Sequence, residues 1–206
     1  MNPAHLSPAL IAEAAPGDGR RKRSQSSRAR IVAAMLDLVA RGDIAPSAVQ
    51  VAERAGVGLR SVFRHFKDLD ALYREMTEAI EVEVLPLMLR PLEGATWQER
   101  LLTLADRRAR IFETIMPYRI SANLRRFESA YLMEDHRRLL RLEAGALDAH
   151  LPDAVRADDA AARGLAVILS FSTWCHLRHD QGVPADQARA VVRRLLADAL
   201  ARWPGA

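Results

Sequence analysis

Apolar residues recur along most of the chain three and four positions apart, the spacing of a helix that buries one face, and no run alternates as a half-buried strand does. From Ser27 the stripe is Ile31, Val32, Met35, Leu36, Leu38 and Val39, and Gly42 stands where that helix is expected to end. Ser47 and Gln50 form a capping box, each side chain satisfying a backbone N–H left open at a helix start, so a short second helix is predicted there. Ala55-Gly56-Val57-Gly58 breaks it. Helical spacing resumes from Leu59 to Phe66, with Val62 and Phe66 inward and Arg60, Ser61, Arg64 and His65 outward or lateral. Asp68 is a further N-cap and opens a long helix over about 69–90, with a kink expected at Pro86.

The rest of the chain keeps the same period. Thr96 and Glu99 make a second capping box, for a helix expected to stop near Met116 because Pro117 follows. Segments 118–127 and 129–149 read as one interrupted helix or two consecutive ones, ended at Leu151-Pro152. A mostly apolar helix is predicted over 158–180, closed by Gly182, and a last one over 184–203. The predicted fold is all-α, with a three-helix N-terminal head over 27–73 joined to a larger helical body over 74–206. Residues 1–26, where Pro3, Pro8, Pro16, Gly17 and Gly19 surround the basic run Arg20-Arg21-Lys22-Arg23, read as a disordered arm. Such an arm is either a solvated tail or a cationic segment laid along phosphates or in a minor groove.

Composition narrows the classes of function. Half of the 206 residues are hydrophobic, enough for a core, yet the most apolar stretch, 165–174, already holds Ser170, Ser172 and Thr173. That is short of the ~18 uninterrupted apolar residues a spanning helix needs. The segment 6–15 carries Pro8 and Glu13 with its positive charge behind it, so no export signal is expected. The single cysteine, Cys175, makes no internal disulfide and fits a reducing cytoplasm. The net charge is +4, but residues 1–67 hold 11 basic against 5 acidic side chains, and the remainder is slightly acidic. The basicity therefore sits at the front, as in a polyanion-binding head on a near-neutral body, or else as an irregular spread of arginine.

The front also contains the residues that a helix-turn-helix needs. Small Ala52 lets two helices approach, Gly56 lets the backbone take a turn that a side chain resists, and Val62 locks the second helix onto the first. In such a unit the second helix enters the major groove while the first crosses the backbone. The candidate DNA contacts are Ser47, Gln50, Leu59, Arg60, Ser61, Phe63, Arg64, His65 and Lys67, with Arg60, Ser61 and Arg64 placed to read base edges.

Val51-Ala52-Glu53-Arg54-Ala55-Gly56-Val57, then Phe63-Arg64-His65-Phe66, then Asp70-Ala71-Leu72-Tyr73 resembles the head pattern of the TetR-type one-component transcription regulators. The likeness covers about residues 28–76. It implies a head that binds operator DNA, a body that binds a small inducer, and last helices that pair two subunits, so a homodimer on a palindromic operator and most often a repressor. Three positions depart from the pattern: Phe63 stands where Tyr is usual, Gly58 where Ser is common and Leu69 where Lys is frequent.

Within the body, Tyr118, Asn123, Arg126, Phe127, Tyr131, Phe171 and Trp174 fit the lining of a ligand cavity, or alternatively are core at helical spacing. Leu165, Ile168, Leu169 and Ser172, with Val191, Val192, Leu195 and Leu200, could build a four-helix interface between two copies or close the core of one. His176 and His179 lie a helical turn apart without a third ligand on their face, so no metal site is expected. No catalytic or cofactor motif is present, and the expectation is a non-enzyme with no cofactor. The rivals are a helical adaptor or architectural protein, and a small-molecule-binding enzyme with a vestigial head.

Overall fold

The computed structural model describes residues 19–204. Among the described residues there are ten α-helices, one π-helical turn and no strand. The helices are α1 (Gly19–Ala40), α2 (Ala48–Ala55), α3 (Leu59–His65), α4 (Leu69–Met88), α5 (Trp97–Arg125), α6 (Ala130–Asp148), α7 (Asp153–Ala157), α8 (Asp159–Ile168), α9 (Phe171–Cys175) and α10 (Ala185–Leu200), with the π turn at His176–Asp180. Contacts divide the chain into two units, one running to Ala79 and including Pro117–Arg125, the other made of Ile80–Met116 and the chain from Arg126 onward.

In the first unit α1 lays Ile31, Met35 and Val39, all without solvent exposure, against the inward residues Val51 and Ala52 of α2. Val62 of α3 and Phe66 behind it complete the inward face, and Leu72, Tyr73 and Met76 of α4 are buried too. The phenol of Tyr73 and the hydroxyl of Ser121 share a buried hydrogen bond of 2.8 Å, so two polar groups are satisfied where water does not reach.

The second unit is built on the first half of α5. Trp97, Leu101, Leu104, Ala105, Ala109 and Phe112 pack with Leu147, Leu151, Val155, Leu165 and Leu169, and with Ala188, Val192, Leu196 and Leu200 of α10. Each fully buried leucine contributes about 2 kcal/mol of transfer free energy. Arg108 is buried beside this core and donates to the carbonyl of Leu169, just past the end of α8, at 2.9 Å, and to that of Glu143 within α6.

The helix boundaries depart from expectation in four places. Residues 19–26, expected as part of a disordered arm, belong to α1, which begins at Gly19 rather than Ser27; residues 1–18 of that arm lie outside the described residues. Helix α5 continues through Pro117 to Arg125 instead of stopping near Met116. The ring deprives one carbonyl of its N–H, but half-buried or buried side chains from Phe112 to Ser121 keep the helix packed on either side. The single helix expected over 158–180 is three pieces. Asp158 caps α8 by accepting from the N–H of Ala161 at 3.0 Å, and Ser170 caps α9 by accepting from Thr173 at 3.1 Å while donating to the carbonyl of Val167 at 2.9 Å. A serine hydroxyl that serves both sides of a break competes with the helical ladder, and here it wins. Beyond Cys175 the chain widens into the π turn, closed by Gly182 at φ 66°. The short helix α7, started by Pro152, was not anticipated.

Candidate nucleic-acid interface

Ser47 sits in extended backbone ahead of α2, accepting from the N–H of Gln50 at 3.3 Å while its own N–H donates to the Gln50 side chain at 2.9 Å. The Ser47 hydroxyl also donates to Gln50 Oε1 at 2.7 Å, and Gln50 Nε2 donates to Asp43 at 2.7 Å. These two candidate contacts are exposed, but their polar atoms already hold the start of α2. Helix α2 ends at Gly56, whose φ of 61° and ψ of 42° are left-handed, with its N–H donating to the carbonyls of Ala52 and Glu53. Ala52 is buried beside this turn. Gly58 then starts α3 in extended backbone without a side-chain cap, the bond a serine there would have made.

With Val62 and Phe66 turned into the core, the seven residues of α3 have only one way to face. At about 100° per residue, Arg60 and Arg64 fall opposite Val62. Leu59 and Phe63 flank them on one side, Ser61 and His65 on the other. Arg60, Arg64 and Lys67 are exposed, and none has an acidic partner among the described residues. Arg64 Nη2 lies 3.5 Å from the Ser61 hydroxyl. By contrast Arg54 and Arg41 are both engaged with Asp37, at 2.6 and 2.8 Å, and the Arg54 hydrogen bond above all holds that carboxyl below its usual pKa. The cationic strip on α3 is thus separate from the arginines that brace α1 and α2.

His65 is placed differently from its neighbours. It is half-buried, and its Nε2 is shut off from solvent without a hydrogen-bond partner among the described residues. Burial first, and then the charges of Arg64 and Arg28, push its pKa below the ordinary histidine value, so the ring is neutral at pH 7. It faces the protein as much as the solvent.

Sequence reasoning missed Arg28. From α1 it donates to the main-chain carbonyl of His65 at 2.5 Å, pairs with Glu75 of α4, and lies 4.5 Å over the ring of Phe66. One side chain thereby satisfies the end of α3 and ties it to the helices on both sides. Nothing in the spacing distinguishes Arg28 from Arg30, since the partners lie 37 and 47 residues away. Asp68 accepts from the N–H of Ala71 at 2.8 Å, as an N-cap should, and Leu69 beside it is exposed.

The candidate ligand residues are drawn from both units. Tyr118 and Asn123 fall within the first unit; Arg126, Phe127, Tyr131, Phe171 and Trp174 fall within the second. Of these, Phe171 and Trp174 are core. Phe171 meets the ring of Phe112 edge-on at 5.5 Å, and Trp174 Nε1 donates to Glu113 at 2.8 Å. Phe127 is 76% exposed with the Arg126 guanidinium 4.6 Å over its ring, and Tyr131 is half-buried on α6. The candidate dimer residues divide as well. Leu165, Leu169, Val192 and Leu200 are buried in the chain's own core and Ile168 packs against it, because helical register turns them inward; Ser172, Val191 and Leu195 remain exposed. His176 and His179 both address the carboxylate of Asp180, at 3.1 and 3.0 Å. Among the described residues no group of three His, Cys, Asp or Glu side chains could hold a metal, and no helix is long and apolar enough to cross a membrane.

No family model matches the chain, and no curated protein does. The fold is similar to that of a transcriptional regulator from Rhodococcus sp. Rha1, with a TM-score of 0.65 over 85% of this chain and 97% of that one at 19% identity. At that identity the likeness is one of fold: the all-α architecture is shared.

Proposed function

We propose that this chain is a DNA-binding transcription regulator of the TetR type, acting as a cytoplasmic homodimeric repressor on a palindromic operator. The observation that carries the reading is the face of α3. Packing fixes Val62 and Phe66 inward, so Arg60 and Arg64 project from a short helix behind a left-handed glycine turn, which is the presentation that major-groove readout requires. Lys67, and the basic run Arg20-Arg21-Lys22-Arg23 at the start of α1, add phosphate neutralisation. The fold shared with a known transcriptional regulator supports the same reading. Dimerisation is supported by the apolar residues that α8 and α10 leave exposed, Val167, Val191 and Leu195. An inducer bound in the body would favour a head spacing that no longer fits two half-sites.

Fluorescence anisotropy with DNA from upstream of the chain's own gene, across a salt series, tests it. Saturable binding that prefers this DNA, weakens steeply with salt and falls about 10- to 100-fold in Arg64→Ala is expected. Equal binding to unrelated DNA with no effect of Arg64→Ala would overturn it.

A further inference from the structure

The exposed face of α3 is cationic only along its centre. Phe63 is 61% exposed and Leu59 40% exposed, one helical turn apart, and together they form an apolar flank beside Arg60 and Arg64. Neither is buried by the fold, because α3 buries Val62 and the chain turns in at Phe66. Neither serves a phosphate, because a phenyl ring and an isobutyl group offer no hydrogen bond. On the opposite flank Ser61 and His65 carry the polar atoms, so the helix is chemically lopsided about its arginines.

The major groove has one apolar feature on the edges of its base pairs, the thymine methyl, and it lies at the depth where arginine reaches guanine O6 and N7. The cationic strip beside the apolar flank favours a polyanion as the occupant of this face over an apolar protein groove, which would leave both guanidinium groups desolvated and unpaired. We infer that Phe63 and Leu59 read thymine methyl groups next to the guanines contacted by Arg60 and Arg64, so that the half-site contains thymine beside guanine. The inference rests on the DNA-binding reading above and names the bases that reading leaves open. It also gives the absence of a phenolic hydroxyl at position 63 a consequence: the ring is a base reader here, not a backbone anchor.

Replacing thymine by uracil removes the methyl and leaves every hydrogen-bonding edge intact. The probe is the tightest duplex enriched from a random-sequence pool by the full chain, resynthesised with uracil at one thymine at a time. At one or more thymines adjoining a guanine in the half-site, uracil is expected to weaken binding about three- to fivefold, the value of one buried methyl. In Phe63→Ala, or in Leu59→Ala for the neighbouring position, the same uracil substitution is expected to make no difference, and the melting temperature of each variant, measured alongside, separates lost stability from a lost contact. A half-site without thymine beside guanine, a uracil penalty of nil at every position, or a penalty undiminished in both variants and in the double variant overturns the inference while leaving sequence-specific binding intact. A pool that yields no preferred sequence overturns the DNA-binding reading itself, and this inference with it.

Discussion

Helices α2 and α3 on one hand and α8 to α10 on the other are both assemblies of short helices joined by tight breaks, yet they use their outer faces in opposite ways. In α3 every residue that packing does not claim is arginine, serine or histidine, or an apolar side chain held in solvent beside the arginines. In α8 and α10 the apolar stripe is spent on the core, and of their large apolar side chains Val167, Val191 and Leu195 are left outside. The inward positions of both regions obey the same rule. The outward ones are where stability is indifferent to residue type, so they are the positions from which function can be read.

That contrast can be broken from the inside. Leu196→Ala empties a fully buried position of the α10 core and should destabilise the protein by about 3 kcal/mol, measured by urea unfolding, because the cavity adds to the lost transfer free energy. Tyr73→Phe leaves the Ser121 hydroxyl buried without this partner and should cost about 1.5 kcal/mol, with circular dichroism unchanged at 20 °C. Gly56→Ala meets no atom within 4 Å, so its cost is conformational alone, about 1 kcal/mol for a side chain at φ 61°. If Gly56→Ala also weakened DNA binding far beyond its loss of stability, the turn would be setting the aim of α3 as well as permitting it.

The smallest expected effect sharpens the comparison through pH. Two histidines have a pKa lowered chiefly by burial, His65 at the end of α3 beside Arg64 and Arg28, and His150 in the turn after α6 beside Arg100 and Arg107. A depressed value means that the unfolded chain takes up a proton before the folded one. The associated stability is complete above about pH 6.5 and is lost as pH falls through the ordinary histidine range towards the lower folded values. Thermal melts between pH 7.5 and 5.5 should fall for the parent and fall less for His65→Gln. A profile identical in the variant would mean that His65 does not contribute.

Legibility followed the range of the interactions. The α2–α3 turn could be read because its demands are met within eleven positions, from Ala52 through Gly56 to Val62. Both capping boxes, at Ser47 and Thr96, were legible for the same reason. Ser170 was not, because a serine inside an apolar run looks like any solvated helix residue until its hydroxyl is seen bridging two helices. Pro117 misled in the other direction, since packing at distant sequence positions outweighed a local break. Arg28 and Arg108 were hidden altogether: each donates to a main-chain carbonyl far away in the sequence, and no local pattern marks a side chain for that work. In α8 and α10 periodicity identified the apolar residues without saying which copy of the chain would cover them, and the core of a single copy takes most of them.

The segment Pro117–Arg125 bears on how this protein could be taken apart or recombined. It belongs by contact to the N-terminal unit although it is encoded some forty residues after that unit's last other residue, and through Ser121 it supplies the partner of Tyr73. A fragment ending at Ala79 would therefore be an incomplete object, with a buried phenol deprived of its mate. A chimaera that exchanged heads between two such proteins at that point would inherit the mismatch. The natural cut is not a single point in the gene: transplanting the head intact means carrying two separate stretches, the second lifted from the middle of a long helix.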